Sequence, residues 1–317
     1  MAHSRRQFLQ GIGTLTALTA LPTPFVTRAD DAATDSYSTF KAAMETPYAA
    51  PLNIYFERVL GTSTVALTLH DLSAGRLLTS LLPEQPLPVA SAFKGPLAMY
   101  ALDTLDPRGW SVVPVEYWTA TGANQVPEDV RDTWRSHAAE LQALYRALVF
   151  SDNTATGAVL GYATAAQGET DALNAFNDWL RDTVGVSQLS GLGAWRDGVP
   201  DGMTWRDERY AGRDTKVDGV TTSFDNMMTA RDLGLCYAWM HSQMNTEGRR
   251  VAMDLLSTIH NNRGANLERL ATEAGGTPYS KNGSLETDAG YVVTDAGVMT
   301  LPDGRDLLLT VLSVNAP

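Results

Sequence analysis

The sequence predicts an α+β fold: one antiparallel sheet flanked by helices, with a second, all-helical lobe inserted between its strands. Three observations carry this. Near the start, "STVALTLHD-LSAG-RLLTSLLP" reads as two strands joined by a tight Gly-containing turn. Near the end, "YVVTDAGVMTL", the turn "PDGR" and "DLLLTVLSV" form a second hairpin. Between them, after Ala90, the character changes to helices. A hairpin that opens the chain and one that closes it belong most simply to one sheet, and the intervening helices to a lobe beside it. The cleft between the lobes is then the natural place for a site.

The elements follow in order. From Asp35 to Leu60 the pattern is helical, with Tyr37, Phe40 and Met44 on one side. The opening hairpin comes next. After Ala90, "AFKGPLAMYALDTL" is apolar and helical, and "TWRSHAAELQALYRALVF" places Leu141, Leu144, Tyr145, Leu148 and Val149 on one face. Further helices are "DNTATGAVLGYATAA", "DALNAFNDWLRDTV", "FDNMMTARDLGLCYAWMHSQM" and "EGRRVAMDLLSTI". The expected boundaries are a sheet lobe of about 35–90 and 255–317 and a helical lobe of about 91–254. No repeat of 20–50 residues is present.

Composition narrows the function. The 317 residues are 44% hydrophobic and 19% charged, as in an ordinary globular protein, and the net charge of −12 argues against a nucleic-acid surface or a basic membrane patch. One cysteine, Cys236, forms no disulfide within the chain and reads as a small core hydrophobe. The five histidines have no metal spacing, and neither a G-x-S-x-G elbow nor a phosphate-binding glycine loop occurs. The reading is of no metal and no organic cofactor. At the N-terminus, Arg5-Arg6, then Phe8-Leu9, a weakly apolar run from Gly11 to Val26 and the small-residue end Thr27-Arg28-Ala29 are similar to a twin-arginine export signal over residues 1–29. The run is too short and too rich in Thr and Gly to span a membrane. The remaining 30–317 is expected to be exported to the periplasm or medium with no stable membrane anchor.

Two tetrapeptides share the Ser-x-x-Lys spacing: Ser38-Thr39-Phe40-Lys41 and Ser91-Ala92-Phe93-Lys94. Only four lysines are present, so the pairing is informative when other groups accompany it. Ser91 stands where a helix begins, at the positive end of its dipole, and the three-residue step puts Lys94 one turn along on the same side. Lys94 can then take the hydroxyl proton if burial or a nearby cation lowers its pKa. Ser38 reads as an exposed helix start. Ser151-Asp152-Asn153 ends a strongly periodic helix, and Lys281-Asn282-Gly283-Ser284 precedes the closing strands. Taken singly, Asp152-Asn153 reads as a helix cap and Asn282-Gly283 as a hairpin turn.

Taken in order, Ser-x-x-Lys, Ser-Asp-Asn and Lys-Asn-Gly resemble the motif set of class A β-lactamases and penicillin-binding proteins, with Asn282 where threonine is usual. The similarity runs from about Tyr48 to Ser313, through "LPEQPLPVASAFK", "TTSFDNMMTARDLG" and "KNGSLETDAGYVVTDAGVMTLPDGRDLLLTVLSV". The resemblance implies a serine hydrolase that opens β-lactam rings, associated with antibiotic resistance. The alternatives are a D-alanyl-D-alanine carboxypeptidase or related amidase or esterase, and a sensor that keeps its β-lactam adduct. It also implies roles. Ser91 is the nucleophile, Lys94 its base or the group that positions a water acting as base, and Ser151 the proton donor to the leaving nitrogen. Asn153 holds Lys94 and the substrate amide. Lys281 and Asn282 bind the substrate carboxylate, and the N–H groups of Ser91 and Ser284 form an oxyanion hole worth roughly 3–4 kcal/mol per donor. The partner implied is a small β-lactam or a peptidoglycan stem peptide, met by a monomer.

The match departs from the family in four places. Pro96 falls two residues after Lys94, where a distorted or shortened helix is expected. No helix follows the last strand before Pro317, which leaves a sheet face to the N-terminal helix or to solvent. No arginine assists from "AGYVVTDAG". The loop that holds the water-activating glutamate in class A enzymes reads "SGLGAWRDGVPDGMTWRDERYAGRDTKVDGV", without a clear Glu-x-x-Leu-Asn. Distance to Thr221-Thr222 favours Glu208 as that base. Distance from the preceding helix favours the segment at Trp195, which offers only Asp197.

Overall fold

Strand β1 (Thr64–Asp71) and strand β2 (Arg76–Leu81) form the opening hairpin, turned by Gly75 at φ 58°. The computed structural model describes residues 64–112, 139–217, 219–257, 266–287 and 290–316. The export segment, the 35–60 helix and the Ser38–Lys41 tetrad lie outside the described residues. The closing strands β8 (Thr277–Thr287), β9 (Gly290–Thr300) and β10 (Asp306–Ala316) complete a five-stranded sheet in the order β2-β1-β10-β9-β8. All its pairings are antiparallel, and β1 pairs β10 from Thr64 with Val314 to Asp71 with Leu307. The first described strand and the last are therefore neighbours, as the two hairpins foretold.

The period of two along β1 separates two cores. Val65, Leu67 and Leu69, with Leu307, Leu309 and Val311 of β10, face helix α7 (Asn266–Glu273), which contributes Leu267, Leu270 and Ala271. The expectation that this face depends on the N-terminal helix or is bare is thus corrected: α7 covers part of it. The opposite face, with Ala66, Ala296, Leu308 and Leu312, joins the main core. There it meets helix α5 (Ala230–Ser242), which packs on β10, β9 and β1.

The lobe between holds α1 (Lys94–Thr104), α2 (Ala139–Val149), α3 (Asn153–Ala166), α4 (Ala172–Trp179) and α6 (Thr246–Ser257). The predicted apolar face of α2, Leu141 to Val149, is buried throughout. Pro96 does not shorten α1. It lies in the first helical turn, where backbone N–H groups lack intrahelical acceptors, so its missing N–H removes nothing. The lobe is not purely helical. Short strands β3 (Leu87–Pro88), β7 (Asn226–Met228) and β4 (Gly191–Leu192) form one small sheet, and β5 (Arg213–Val217) pairs with β6 (Val220–Phe224). Because β7 pairs with β3 and β4, the helix expected from Phe224 starts only at Ala230. Thr229 caps it by accepting from the Asp232 N–H at 3.0 Å.

Candidate active site

Ser91 lies in a short 3₁₀ turn, Ala90–Phe93, that runs directly into α1. Ala90 before it is held at φ 44°, a left-handed conformation that costs a non-glycine residue roughly 1–3 kcal/mol. Surrounding contacts hold it there. The Val89 N–H donates to Asn226 O at 3.2 Å, and Thr294 Oγ1 donates to Val89 O at 3.0 Å. Two of the three motifs meet at this turn. A Cβ on Gly283 would lie 2.5 Å from the Ser91 nitrogen and 2.8 Å from that of Ala92. Only glycine lets β8 pass this close. Asn282-Gly283 is thus mid-strand, not a hairpin turn.

The third motif arrives through Lys94. Lys94 is 1% exposed, and its ammonium donates to Ser151 O at 2.7 Å, Ser151 Oγ at 3.3 Å and Asn153 Oδ1 at 2.7 Å. Three donors thus meet three acceptors from the start of α3. Asp152 serves as the cap the sequence allowed, accepting from the Ala155 N–H, and this turns its neighbours Ser151 and Asn153 toward Lys94. Ser151 takes φ 55° to do so.

Lys281 is also 1% exposed, and its Nζ donates to Asn282 O at 2.8 Å and Asn282 Oδ1 at 3.4 Å. Its Cβ packs beside Gly95 of α1. Burial lowers its pKa from 10.5 to about 8, against the attraction of Asp295. Burial first, and the Lys281 charge second, lower Lys94 to about 7, although Asp152 and Asp197 oppose this. Two ammonium groups from remote parts of the chain therefore sense each other. Ser284, past Gly283 on the same strand, is exposed.

The loop behaves differently. Glu208 does not meet the expectation of a water-activating base: its side chain is 78% exposed and accepts from Arg206 Nε at 2.7 Å. The acid turned inward is its neighbour Asp207, 3% exposed, bound to Arg209 and to Asn177 Nδ2 at 2.9 Å. Asn177 also donates to Leu192 O and accepts from the Leu192 N–H. A network of this kind anchors a loop and leaves no carboxylate oxygen for water. What the loop brings to Lys94 is Trp195. Its ring centroid is 5.6 Å from Lys94 Nζ and 5.0 Å from the Phe93 ring, edge to face. The spacing from the preceding helix had pointed at this segment; an indole at a site expected to hold an acid gave no signal of its own.

Among the described residues, no group of three or more His, Cys, Asp or Glu could hold a metal ion. The family described as the beta-lactamase enzyme family matches residues 55–317. A β-lactamase structure from Sphaerobacter thermophilus aligns at a TM-score of 0.55 and 21% identity, covering 89% of this chain and 90% of that one. One from Chitinophaga pinensis gives 0.55 and 18%, over 83% and 90%. A representative of class A β-lactamase from Bacteroides cellulosilyticus gives 0.56 and 14%, over 88% and 90%. A search of curated proteins finds no match. With the family match spanning the sheet, the helical lobe and all three motifs, the chain belongs to the β-lactamase enzyme family, on the class A fold.

Proposed function

We propose that this protein is an exported serine hydrolase that opens β-lactam rings through an acyl-enzyme on Ser91. The observation that carries the reading is the meeting of the three motifs: Gly283 against the Ser91 amide, and Lys94 bound to Ser151 and Asn153. A pKa of about 7 leaves a large neutral fraction of Lys94 at neutral pH. A neutral amine donates two hydrogens instead of three, so it releases one of its bonds and turns a lone pair toward the Ser91 hydroxyl.

The acylation step then balances. Lys94 Nζ takes the Ser91 Oγ proton, and Oγ bonds to the lactam carbonyl carbon. The N–H groups of Ser91 and Ser284 receive the oxyanion. As the C–N bond breaks, the proton passes from Lys94 through Ser151 Oγ, 3.3 Å away, to the leaving nitrogen. Lys281, whose pKa of about 8 keeps it mostly charged at neutral pH, attracts the substrate carboxylate. Asn282 supplies an amide donor beside it. Hydrolysis of the ester returns the proton to Ser91 and completes the cycle.

A fluorescent penicillin tests this. The wild-type chain is expected to take a covalent label within its acylation time, and Ser91→Ala to lose the labelling rate by roughly a thousandfold or more. Equal labelling of the two would end the proposal. Export is tested separately: replacing Arg5-Arg6 by two lysines is expected to hold the protein in the cytoplasm of an expressing cell. Unchanged fractionation would remove the twin-arginine reading without touching the chemistry.

A further inference from the structure

Hydrolysis of a Ser91 ester needs more than its formation does. A water must be held beside the ester carbon and must lose a proton as it attacks, while the bond from carbon to Oγ breaks and Oγ takes a proton back. A positioned carboxylate is worth about 10²–10⁴-fold in such a step. In this molecule two acids of the crossing loop are committed elsewhere: Asp207 to Arg209 and Asn177, Glu208 to Arg206 and solvent.

Trp195 is the loop side chain whose ring faces Lys94, and it is held there from both sides. The Asn226 side chain accepts from the Gly193 and Ala194 N–H groups at 3.1 and 3.3 Å and donates to Ala194 O at 3.0 Å. The Trp195 N–H donates to Trp205 O at 2.8 Å. Beyond it, Asp197 and Gly198 press on α3: a Cβ at Gly157 would lie 1.9 Å from Asp197 O, and one at Gly198 1.9 Å from Thr154 O. Thr154 is the residue after Asn153, so the loop is seated on the same helical turn that holds Lys94. Trp195 Nε1 is buried and has no hydrogen-bond partner among the described residues. An unpaired buried donor costs about 1–3 kcal/mol. The indole is therefore kept by its backbone anchors and by ring contacts with Phe93 and Lys94, not by a polar bond.

We infer that Trp195 is a positioning residue that makes the Ser91 acyl-enzyme long-lived, because its indole covers Lys94 on the loop side and excludes the hydrolytic water. This rests on the acylation reading above and adds that formation and breakdown of the ester are served unequally. The charged groups acting on Lys94 are Lys281, Asp152 and Asp197, and among these Asp197 lies in an exposed turn of the same loop. Asp197 is the rival base and belongs in the test.

The full chain is mixed rapidly with a chromogenic cephalosporin, and the adduct is followed by intact mass. Expected for the wild type is a burst of one equivalent, then hydrolysis at least about 100-fold slower than acylation, as the lack of a positioned base requires. Trp195→Ala is expected to acylate within about threefold of wild type and to shorten the adduct lifetime about tenfold, by admitting water to Lys94. Trp195→Phe, which keeps an aromatic lid, should preserve the lifetime. A lid with a merely structural role would move both rates together. Rapid wild-type turnover without accumulation overturns the inference and leaves the acylation reading standing. So does an unchanged lifetime in Trp195→Ala, or a hundredfold longer one in Asp197→Asn. Neither adduct nor turnover in the wild type removes both. If the alanine variant does not fold, the wild-type burst ratio and the phenylalanine variant decide.

Discussion

The turn at Ser91 and the loop that crosses it, residues 185–224, treat their charged groups in opposite ways. Around the turn, two lysines are buried at 1% exposure within reach of each other, an arrangement that opposes their charges and contributes nothing evident to stability. In the loop, among the described residues, the one buried acid is matched to an arginine and an amide, and the other acids reach solvent. Strained charge is what chemistry uses; satisfied charge is what architecture uses. The comparison teaches that the half of the site at the Ser91 turn is equipped with titratable groups, while the half facing the loop is equipped with packing.

The largest effect expected from breaking that contrast is at Lys94. Lys94→Met keeps the length and burial of the side chain and removes the amine, so acylation should fall by about 10²–10⁴-fold in a burst measurement. In the wild type the acylation rate should rise with pH through about 7, as Lys94 becomes neutral, and the methionine variant should lose this limb. The sign for stability is the same. The folded state holds Lys94 near 7 while the unfolded chain holds it near 10.5, so between those values the unfolded state binds more protons. This group's contribution to stability therefore rises with pH across that window. Denaturant midpoints of wild type and Lys94→Met should converge as pH rises from 7 to 10, with wild type the weaker at the low end. Parallel pH curves would show that Lys94 titrates normally and that the turn is not strained in this way.

Legibility in the sequence follows the same division. The hairpins were readable because β1, β9 and β10 are long, carry apolar residues on both faces or in alternation, and are bounded by turn residues. The Ser91, Ser151 and Lys281 motifs were readable because short-range chemistry fixes their internal spacing. Their convergence was not in any one motif; it depends on Gly283 allowing β8 onto the Ser91 amide, a contact across 192 positions of sequence. The helix expected from Phe224 was misplaced because Asn226–Met228 joins a three-stranded sheet whose partners, Leu87–Pro88 and Gly191–Leu192, are two residues long and have no periodicity to read. The loop was the least legible part. Acids are common in loops, and sequence spacing cannot tell Asp207, turned inward, from Glu208, turned outward.

Those two adjacent acids give the smallest and sharpest comparison. Asp207 is buried, and although burial alone would raise its pKa, the bonds from Arg209 and Asn177 outweigh this and hold it below the usual carboxylate value. Asp207→Ala leaves Asn177 without this acceptor in the interior and takes from Arg209 one of its two carboxylates, and breaking a fully buried pair typically costs about 3–5 kcal/mol. Arg209 is partly exposed and also bound to Asp178 at 2.7 Å, so solvent screening brings the expectation to the lower end, about 3 kcal/mol or less. Glu208→Gln changes one side of an exposed pair with Arg206 and should move the denaturant midpoint by no more than about 0.5 kcal/mol. It should also leave the lifetime of the Ser91 adduct as it was, since a side chain 78% exposed and bound to Arg206 holds no water at the ester. A Glu208→Gln adduct that outlives the wild-type one by an order of magnitude would mean that this glutamate swings in when substrate binds. The loop would then have a catalytic face that its resting packing conceals, and the contrast between turn and loop would hold only for the empty site.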